Sequence, residues 1–497
     1  MSSPRASSFP SRRTRCTTSA ARSDKGSSSP ARWTPAPCST FSPGARSGRT
    51  RAAGRRPMQH SHEALDRPGG LSGGHLLTPL RHRDFRVLWA GMAISLLGDG
   101  IFLIAIAWES YTLWNAPAAL SIVGIGMAVP TVLFLLAGGI VSDRHDRRLV
   151  MMWADGVRAL AVAVLAVLVI ANSLRFWELV ALVAVYGVGT AFFTPAFEAV
   201  VPDLLPAEDL PAANSLDQFV RPIALRLAGP FLGGALVAGG AGLAFGVDAA
   251  SFGASFIAVA AIRPRVPARD ETNASALVAV KEGLRFIRKR VWLWGTLGSA
   301  AIAYLVFLGP TEVLLPYMVK NDLGASSLTL GFVFAAGGLG AVGSAVWMGS
   351  RGQPRRHISS MYGTWTLATL AVAGYGLATA AWQLMLACML FNGLETAGTI
   401  VWATVKQRHV PSAMLGRVSS LDWLISIGLL PVSFALTAPV AAAIGVRATL
   451  VGAAVVGATV TLGALFLPGM REIEKGDEAQ LAHRVVPGAV RPSSSEL

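Results

Sequence analysis

From Arg86 to Pro468 the chain is a succession of apolar runs of about 20 residues separated by short polar turns. That is the length an α-helix needs to cross about 30 Å of hydrocarbon at about 1.5 Å per residue. Cutting at the turns predicts twelve membrane-spanning helices, at about 86–113, 118–141, 149–171, 176–195, 213–238, 243–262, 292–318, 328–349, 359–379, 382–404, 418–442 and 446–467. The predicted class is an all-α integral membrane protein in a lipid bilayer.

Charge in the turns orients the bundle. Turns after even-numbered helices hold seventeen Lys or Arg, whereas those after odd-numbered helices hold three, Arg175, Lys320 and Arg447. Cytoplasmic loops retain positive charge, so both termini are expected in the cytoplasm. The longest connection, 263–291, follows the sixth helix and divides the chain into six plus six. Setting Leu205–Asp217 over Val410–Asp422 at an offset of 205 residues superposes Pro206 on Pro411, Leu210 on Leu415, Ser215 on Ser420, Leu216 on Leu421 and Asp217 on Asp422. Both stretches fall in the turn between the fourth and fifth helix of their half. The expected organisation is a tail over 1–77, a six-helix half over 78–262, a cytoplasmic linker with an amphipathic helix over 263–291, a second half over 292–468 and a cytoplasmic tail over 469–497.

Composition agrees: 53% of residues are hydrophobic and 14% charged, against about 25% charged in soluble domains. The net charge of +15 would suggest nucleic acid if it lay on a folded face, but residues 1–57 carry twelve Lys or Arg against Asp24 alone. The basicity belongs to a tail too poor in aliphatic residues to order itself. That tail is open to three readings: a transit-like segment, a basic arm for nucleic acid or lipid, or upstream sequence ahead of a start at Met58. No nucleic-acid partner is assigned to the protein itself. Cys16, Cys38 and Cys388 cannot supply a disulfide framework or a four-ligand zinc site. No metal or cofactor is expected.

Ionisable groups inside the spans cost roughly 2.5–3.5 kcal/mol each on insertion scales and need a partner, a cavity or a role. Asp99, between Gly98 and Gly100 near the middle of the first helix, suits a proton carrier or a structural pair. Glu395, in FNGLETAG, is the second candidate for proton or substrate contact. Glu109 and Glu312 are further candidates for proton or substrate contact, though they lie nearer the outer face, where facing water is the favoured expectation. Asp155 with Arg158 and Asp217 with Arg221 have helix-face spacing and are expected to neutralise each other. Arg226 has no such partner and is expected to face the cavity, for an anionic substrate or with Asp99 or Asp248 as counter-ion. Trp89, Trp108, Trp114, Trp177, Trp292, Trp294, Trp382 and Trp402 fall near helix ends, as an interfacial belt would.

After the second helix the chain reads Gly139-Ile-Val-Ser-Asp143-Arg144-His-Asp-Arg147-Arg148. With two parallel six-helix halves, this G-x-x-x-D-R-x-x-R-R loop resembles the major facilitator superfamily. LRHRDFRVLWAG, Leu97-Gly98-Asp99, PAFEAVVPDLLPAEDLPAANSL and VDAASF further resemble its drug:proton antiporters of the macrolide-efflux and enterobactin-exporter branch. The fifth-helix antiporter signature is reduced to Gly229-Pro230-x-x-Gly233-Gly234, with Leu225 where a glycine is usual. The resemblance implies the major facilitator fold and a latch between halves. Asp143 would meet the eleventh helix near Gly416 and Val418, an arginine among Arg144, Arg147 and Arg148 would meet Asp203, and others would reach carboxylates or lipid phosphates.

The function expected is a monomeric secondary transporter in the bacterial plasma membrane. It would export an amphipathic small molecule of the drug, macrolide or siderophore class by alternating access with protons as the coupling ion. Uptake and a non-transporting sensor are the alternatives. An enzyme is not expected, since no histidine falls in a predicted span, and no G-x-x-x-x-G-K-[ST] loop is present for ATP.

Overall fold

The turns between apolar runs are short because their helices are stopped and restarted by particular side chains. In the computed structural model, which describes residues 77–206, 208–263, 276–351 and 354–474, helix α1 is Arg83–Leu113, α2 Ala118–Arg144, α3 Arg147–Ile170 and α4 Phe176–Leu204. Asp146 stops α2 and starts α3: its carboxylate accepts from the Arg148 backbone N–H at 3.0 Å and fills the N-cap role. At α4 the Glu178 side chain accepts from the Arg175 N–H at 3.0 Å. The expectations for the N-terminal tail, for 264–275 of the linker and for the C-terminal tail beyond 474 lie outside the described residues.

The fifth crossing is interrupted. Helix α5, Leu210–Pro222, passes through a π-helical turn, Ile223–Ala228, into α6, Gly229–Ala238. Pro230 lacks the N–H that an α-helix would aim at the Arg226 carbonyl, so the backbone widens just before it. Helix α7 is Ala241–Ala260, α8 Ala276–Arg288, and α9 Val291–Tyr317, which ends in a second π turn, Met318–Asp322, after Pro316. Then come α10 Ser327–Arg351, α11 His357–Ala371, α12 Ala373–Leu377, α13 Ala381–His409, α14 Ser412–Gly428, α15 Leu430–Ile444 and α16 Val446–Ala464.

Eleven stretches among the described residues are long and apolar enough to span a membrane. The ninth expected span is the exception, because Val372 divides it into α11 and α12 and neither piece reaches spanning length alone. Two further expectations need correction. Trp292 and Trp402 are buried against one another, with ring centroids 6.0 Å apart, instead of lying in an interfacial belt. His357 and His409 fall inside helix ends, not loops, with stacked rings 5.9 Å apart.

Packing is duplicated. The pairs α2–α4, α1–α7 and α3–α7 recur as α10–α13, α9–α16 and α11–α16. Across the halves, α6 packs on α10 and α2 on α15. Gly240 and Gly445, both at positive φ (+127° and +88°), make the α6–α7 and α15–α16 turns, again 205 residues apart. The breaks in the fifth and eleventh crossings also correspond at that offset, Ile223 on Gly428.

At the end remote from the arginine-rich turns, one apolar cluster runs across both halves and includes Phe102, Tyr111, Val313, Leu314, Phe434 and Leu450. Toward the arginine end it divides. One cluster gathers round Phe85, Met151 and Phe197, the other round Trp292, Tyr362 and Trp402. Helix α14 there packs on α8, α9, α13 and α15, with the Arg417 guanidinium on the Glu282 carboxylate of α8. Among the described residues the halves share one apolar cluster at one end of the bundle and hold separate clusters at the other.

Gly445 has φ +88° and ψ 155°, a conformation essentially confined to glycine. Gly445→Ala is expected to destabilise the fold by about 1–3 kcal/mol, read as a lower thermal unfolding midpoint of the purified protein in detergent. An unchanged midpoint would show that the turn tolerates a side chain.

Candidate functional site

Two buried aspartates, Asp155 and Asp248, the partly buried Asp99 and the buried Arg158 meet inside the first half, on three otherwise apolar helices. Asp155 and Arg158 of α3 form the expected pair, Nη2 to Oδ1 2.5 Å, and the second Asp155 oxygen accepts from Ser255 Oγ of α7 at 2.7 Å. The Arg158 guanidinium carbon lies 4.4 Å from the centroid of Phe193 and 4.3 Å from that of Phe252, which replace its hydration with two aromatic faces. Asp99 of α1 accepts from the Tyr186 hydroxyl of α4 at 2.5 Å. Asp248 of α7 is fully buried, with 0% exposure. Its Oδ1 lies 3.3 Å from Ser251 Oγ, and its Oδ2 has no hydrogen-bond partner. Gly98 makes the approach possible, because a side chain there would overlap both Ser251 and Asp248.

A second polar group spans the interface between halves. The first π turn presents Arg226, whose Nη1 donates to Asn392 Oδ1 at 3.2 Å and lies 3.9 Å from Glu395 Oε2. Its side chain is 49% exposed and that of Glu395 22%. Glu395 also accepts from Thr399 Oγ1 at 2.9 Å. Arg226 therefore faces open space as expected, but its partner is Glu395, not Asp99 or Asp248. Glu312 of α9 is partly buried within electrostatic reach of Arg226.

The joined end of the bundle is closed by a short polar seam. The Tyr111 hydroxyl donates to the Val313 carbonyl at 2.6 Å, and Ser327 Oγ to the Gly234 carbonyl at 3.2 Å. The second π turn presents Lys320, whose ammonium donates to Thr112 Oγ1 at 2.7 Å and to the Trp108 carbonyl at 3.3 Å. It also lies 4.8 Å from the Trp108 ring. Glu109, expected to face water, is 8% exposed and sits beside this lysine. The fifth-helix signature supplies the close contacts here. A methyl on Gly229 would lie 2.7 Å from Gly100, one on Gly233 3.0 Å from Ile101, and one on Gly234 2.8 Å from the Ser327 carbonyl and 3.0 Å from Gly331.

In the loop signature Arg147 meets Asp203 as expected, at 2.5 Å, and also donates to the Ala199 carbonyl at 2.9 Å. The Arg148 guanidinium bonds two backbone carbonyls. It donates to the Val259 carbonyl at 2.9 Å and to that of Ala260, the negative end of α7. Arg144 is exposed. The Asp143 side chain lies outside what the structure describes. Gly139 and Gly416 each have open space where a side chain would stand, and the expected contact of Asp143 with the start of the eleventh crossing lies outside the described side chains.

Among the described residues no group of three or more His, Cys, Asp or Glu has metal-holding geometry. Four side chains of these polar groups escaped the sequence reading. Asp248 was weighed only as a counter-ion for Arg226, although an acid in mid-span carries the same signal as Asp99. Lys320 was counted only as a stray outer charge. Tyr186 and Asn392 carry no pattern that separates them from other polar residues in apolar runs.

Two repeated halves, joined at one end and carrying buried charges and an open polar pair, define an all-helical, multi-pass membrane transporter. The chain belongs to the transmembrane secretion effectors of the major facilitator superfamily (MFS_3), whose pattern matches residues 75–492. It is 24% identical over 368 residues to macrolide efflux protein A of Streptococcus pyogenes, covering 73% of this chain and 90% of that protein. It is 27% identical over 398 residues to the multidrug efflux pump Tap of Mycolicibacterium fortuitum (76% and 94%) and 25% over 350 residues to the enterobactin exporter EntS of Escherichia coli (68% and 81%). The fold is similar to that of a POT family transporter in complex with 5-aminolevulinic acid (TM-score 0.58, 13% identity, 76% of this chain and 95% of that one). It is also similar to a bacterial homologue of the iron transporter ferroportin in an inward-facing state (TM-score 0.56, 18%, 77% and 98%).

The joined end yields a direct test. With the three native cysteines replaced by serine, the pair Gly234→Cys and Gly331→Cys is expected to cross-link under mild oxidant, whereas Gly139→Cys with Gly416→Cys is not. The reverse pattern would show that the protein in membranes favours the opposite closure.

Proposed function

We propose that the protein is a proton-coupled exporter that moves an amphipathic small molecule out of the bacterial cytoplasm by alternating access. It works as a monomer in the plasma membrane with both termini cytoplasmic. The halves 78–262 and 292–468 rock about the site between them, and 263–291 links them on the cytoplasmic side. The observation that carries this reading is the separation of two polar sites. Asp99 belongs to a largely buried acid cluster inside one half, a place for a proton. Arg226 with Glu395 is open between the halves, a place for substrate, with Glu312 beside it. The efflux functions of the macrolide, multidrug and enterobactin relatives support export of a drug, macrolide or siderophore-like molecule.

In this mechanism the open arginine-rich end admits substrate from the cytoplasm. Closure there brings Gly139, Asp143, Arg144, Arg147 and Arg148 to the start of α14 while the seam at Tyr111, Lys320 and Gly234 parts. Protonation of the acid cluster from outside then favours return, because a ligand shifts a conformational equilibrium only through its unequal affinity for the two states.

Accumulation of a panel of fluorescent amphipathic dyes in cells expressing the chain tests this. Lower accumulation of at least one dye is expected, abolished by a protonophore. Asp99→Asn should slow pumping about tenfold or more, the effect of about 1.4 kcal/mol on a barrier. Efflux indifferent to the protonophore overturns proton coupling, and raised accumulation overturns export in favour of uptake. A purified protein that binds a dye yet never changes its accumulation is a sensor, not a transporter.

A further inference from the structure

We propose that the exchangeable proton of the acid cluster rests on Asp248 Oδ2 in the conformation seen, with Asp99 as its ionised neighbour. The inference deepens the proton-coupled reading, on which its functional meaning rests, and moves the proton site from the first crossing to the sixth.

Charge balance sets the problem. Asp155 and Arg158 neutralise one another at 2.5 Å, and Ser255 serves the second Asp155 oxygen, so that carboxylate is complete. Asp99 and Asp248 remain, in electrostatic reach of each other and of the same guanidinium. Two neighbouring carboxylates in low dielectric cannot both stay ionised without a further cation. The groups facing Asp248 are Asp99 from α1, Arg158 from α3 and Tyr186 from α4, with Ser251 on its own helix; Asp155 and Ser255 face Arg158 and each other. Arg221 of α5 acts on Asp99. One proton therefore belongs to the Asp99–Asp248 pair.

Hydrogen bonding decides which aspartate holds it. Asp99 accepts from the Tyr186 hydroxyl at 2.5 Å, a donor that stabilises a carboxylate. The hydroxyl bonded to Asp248, Ser251 Oγ, is closer to the Asp248 backbone carbonyl, 2.8 Å, than to Oδ1, 3.3 Å. Asp248 Oδ2 has no donor at all and is sealed from solvent. An oxygen in that position carries a large penalty as part of a carboxylate and a much smaller one as a neutral O–H. Asp99 retains some solvent exposure, so it is the member through which a proton reaches Asp248.

The experiment is infrared spectroscopy of the full chain reconstituted in lipid, following the carbonyl stretch of protonated carboxyl groups above pH about 6, where a free aspartate is ionised. Wild type minus Asp248→Asn is expected to show the loss of one protonated carboxyl band. Wild type minus Asp99→Asn is expected to show loss of carboxylate absorption with the Asp248 band shifted but present. Asparagine matches a protonated aspartate in shape, so Asp248→Asn should fold, and Asp248→Glu supplies a carboxyl that should restore a band. A band lost with Asp99→Asn and kept with Asp248→Asn overturns the assignment, as does the absence of any band dependent on Asp248. Because the spectrum involves no substrate, dye efflux that ignores the proton gradient would sink the exporter reading without touching this one. Where efflux is proton-driven, Asp248→Asn should abolish its dependence on the gradient while leaving dye binding intact.

Discussion

The buried charge balance of the first half is the constraint from which much of the surrounding structure follows. Two fully buried carboxyl groups, the partly buried Asp99 and one buried guanidinium stand where little bulk water solvates them, and removing one partner of such a pair typically costs about 3–5 kcal/mol. Each neighbour answers that demand. Phe193 and Phe252 sandwich Arg158, Ser255 completes Asp155, Tyr186 serves Asp99, and Gly98 leaves room for Asp248 to lie against the first helix. Four helices, α1, α3, α4 and α7, are held in register by groups none of them could bury alone.

Helix α1 carries that constraint to the interface between halves. Asp99 faces the acid cluster, Gly100 packs on Gly229 of α6, and Tyr111 closes the seam against Val313 of α9. The span from Asp99 to Tyr111 is twelve residues, about 18 Å of continuous helix. A displacement of α1 at the acid cluster is therefore transmitted to the seam by a rigid element. The two π turns complete the arrangement, since each follows or precedes a proline and each turns one cation, Arg226 or Lys320, toward the opposite half.

The sequence made the fold legible because bilayer thickness imposes a similar length on nearly every crossing and polar turns separate them. It predicted the Asp155–Arg158 and Asp217–Arg221 pairs, because helix geometry links residues three or four apart. It could not foresee Arg226 with Asn392 and Glu395, which are joined only when two separate halves dock. Asp99 was visible as an acid flanked by glycines in an apolar run, whereas Tyr186, which completes its environment, resembles any interfacial tyrosine until α4 is placed beside α1. The break at Val372 also escaped notice, because the apolar run continues through it unchanged.

The seam between halves is built to be separable. Its hydrogen bonds are few, from Tyr111, Ser327 and twice from Lys320, and each contributes about 0.5–1.5 kcal/mol net. Around them Gly234 and Gly331 bring two backbones together without interlocking side chains, a contact that small residues favour in membranes. The polar part of the seam therefore amounts to a few kcal/mol. Moving a proton between groups that differ by one pKa unit supplies about 1.4 kcal/mol, and a site with and without a partner differs by several times that. The two energies are commensurate, so the proposed protonation beside the middle of α1 is sufficient in magnitude to decide whether the seam at the end of that helix stays closed.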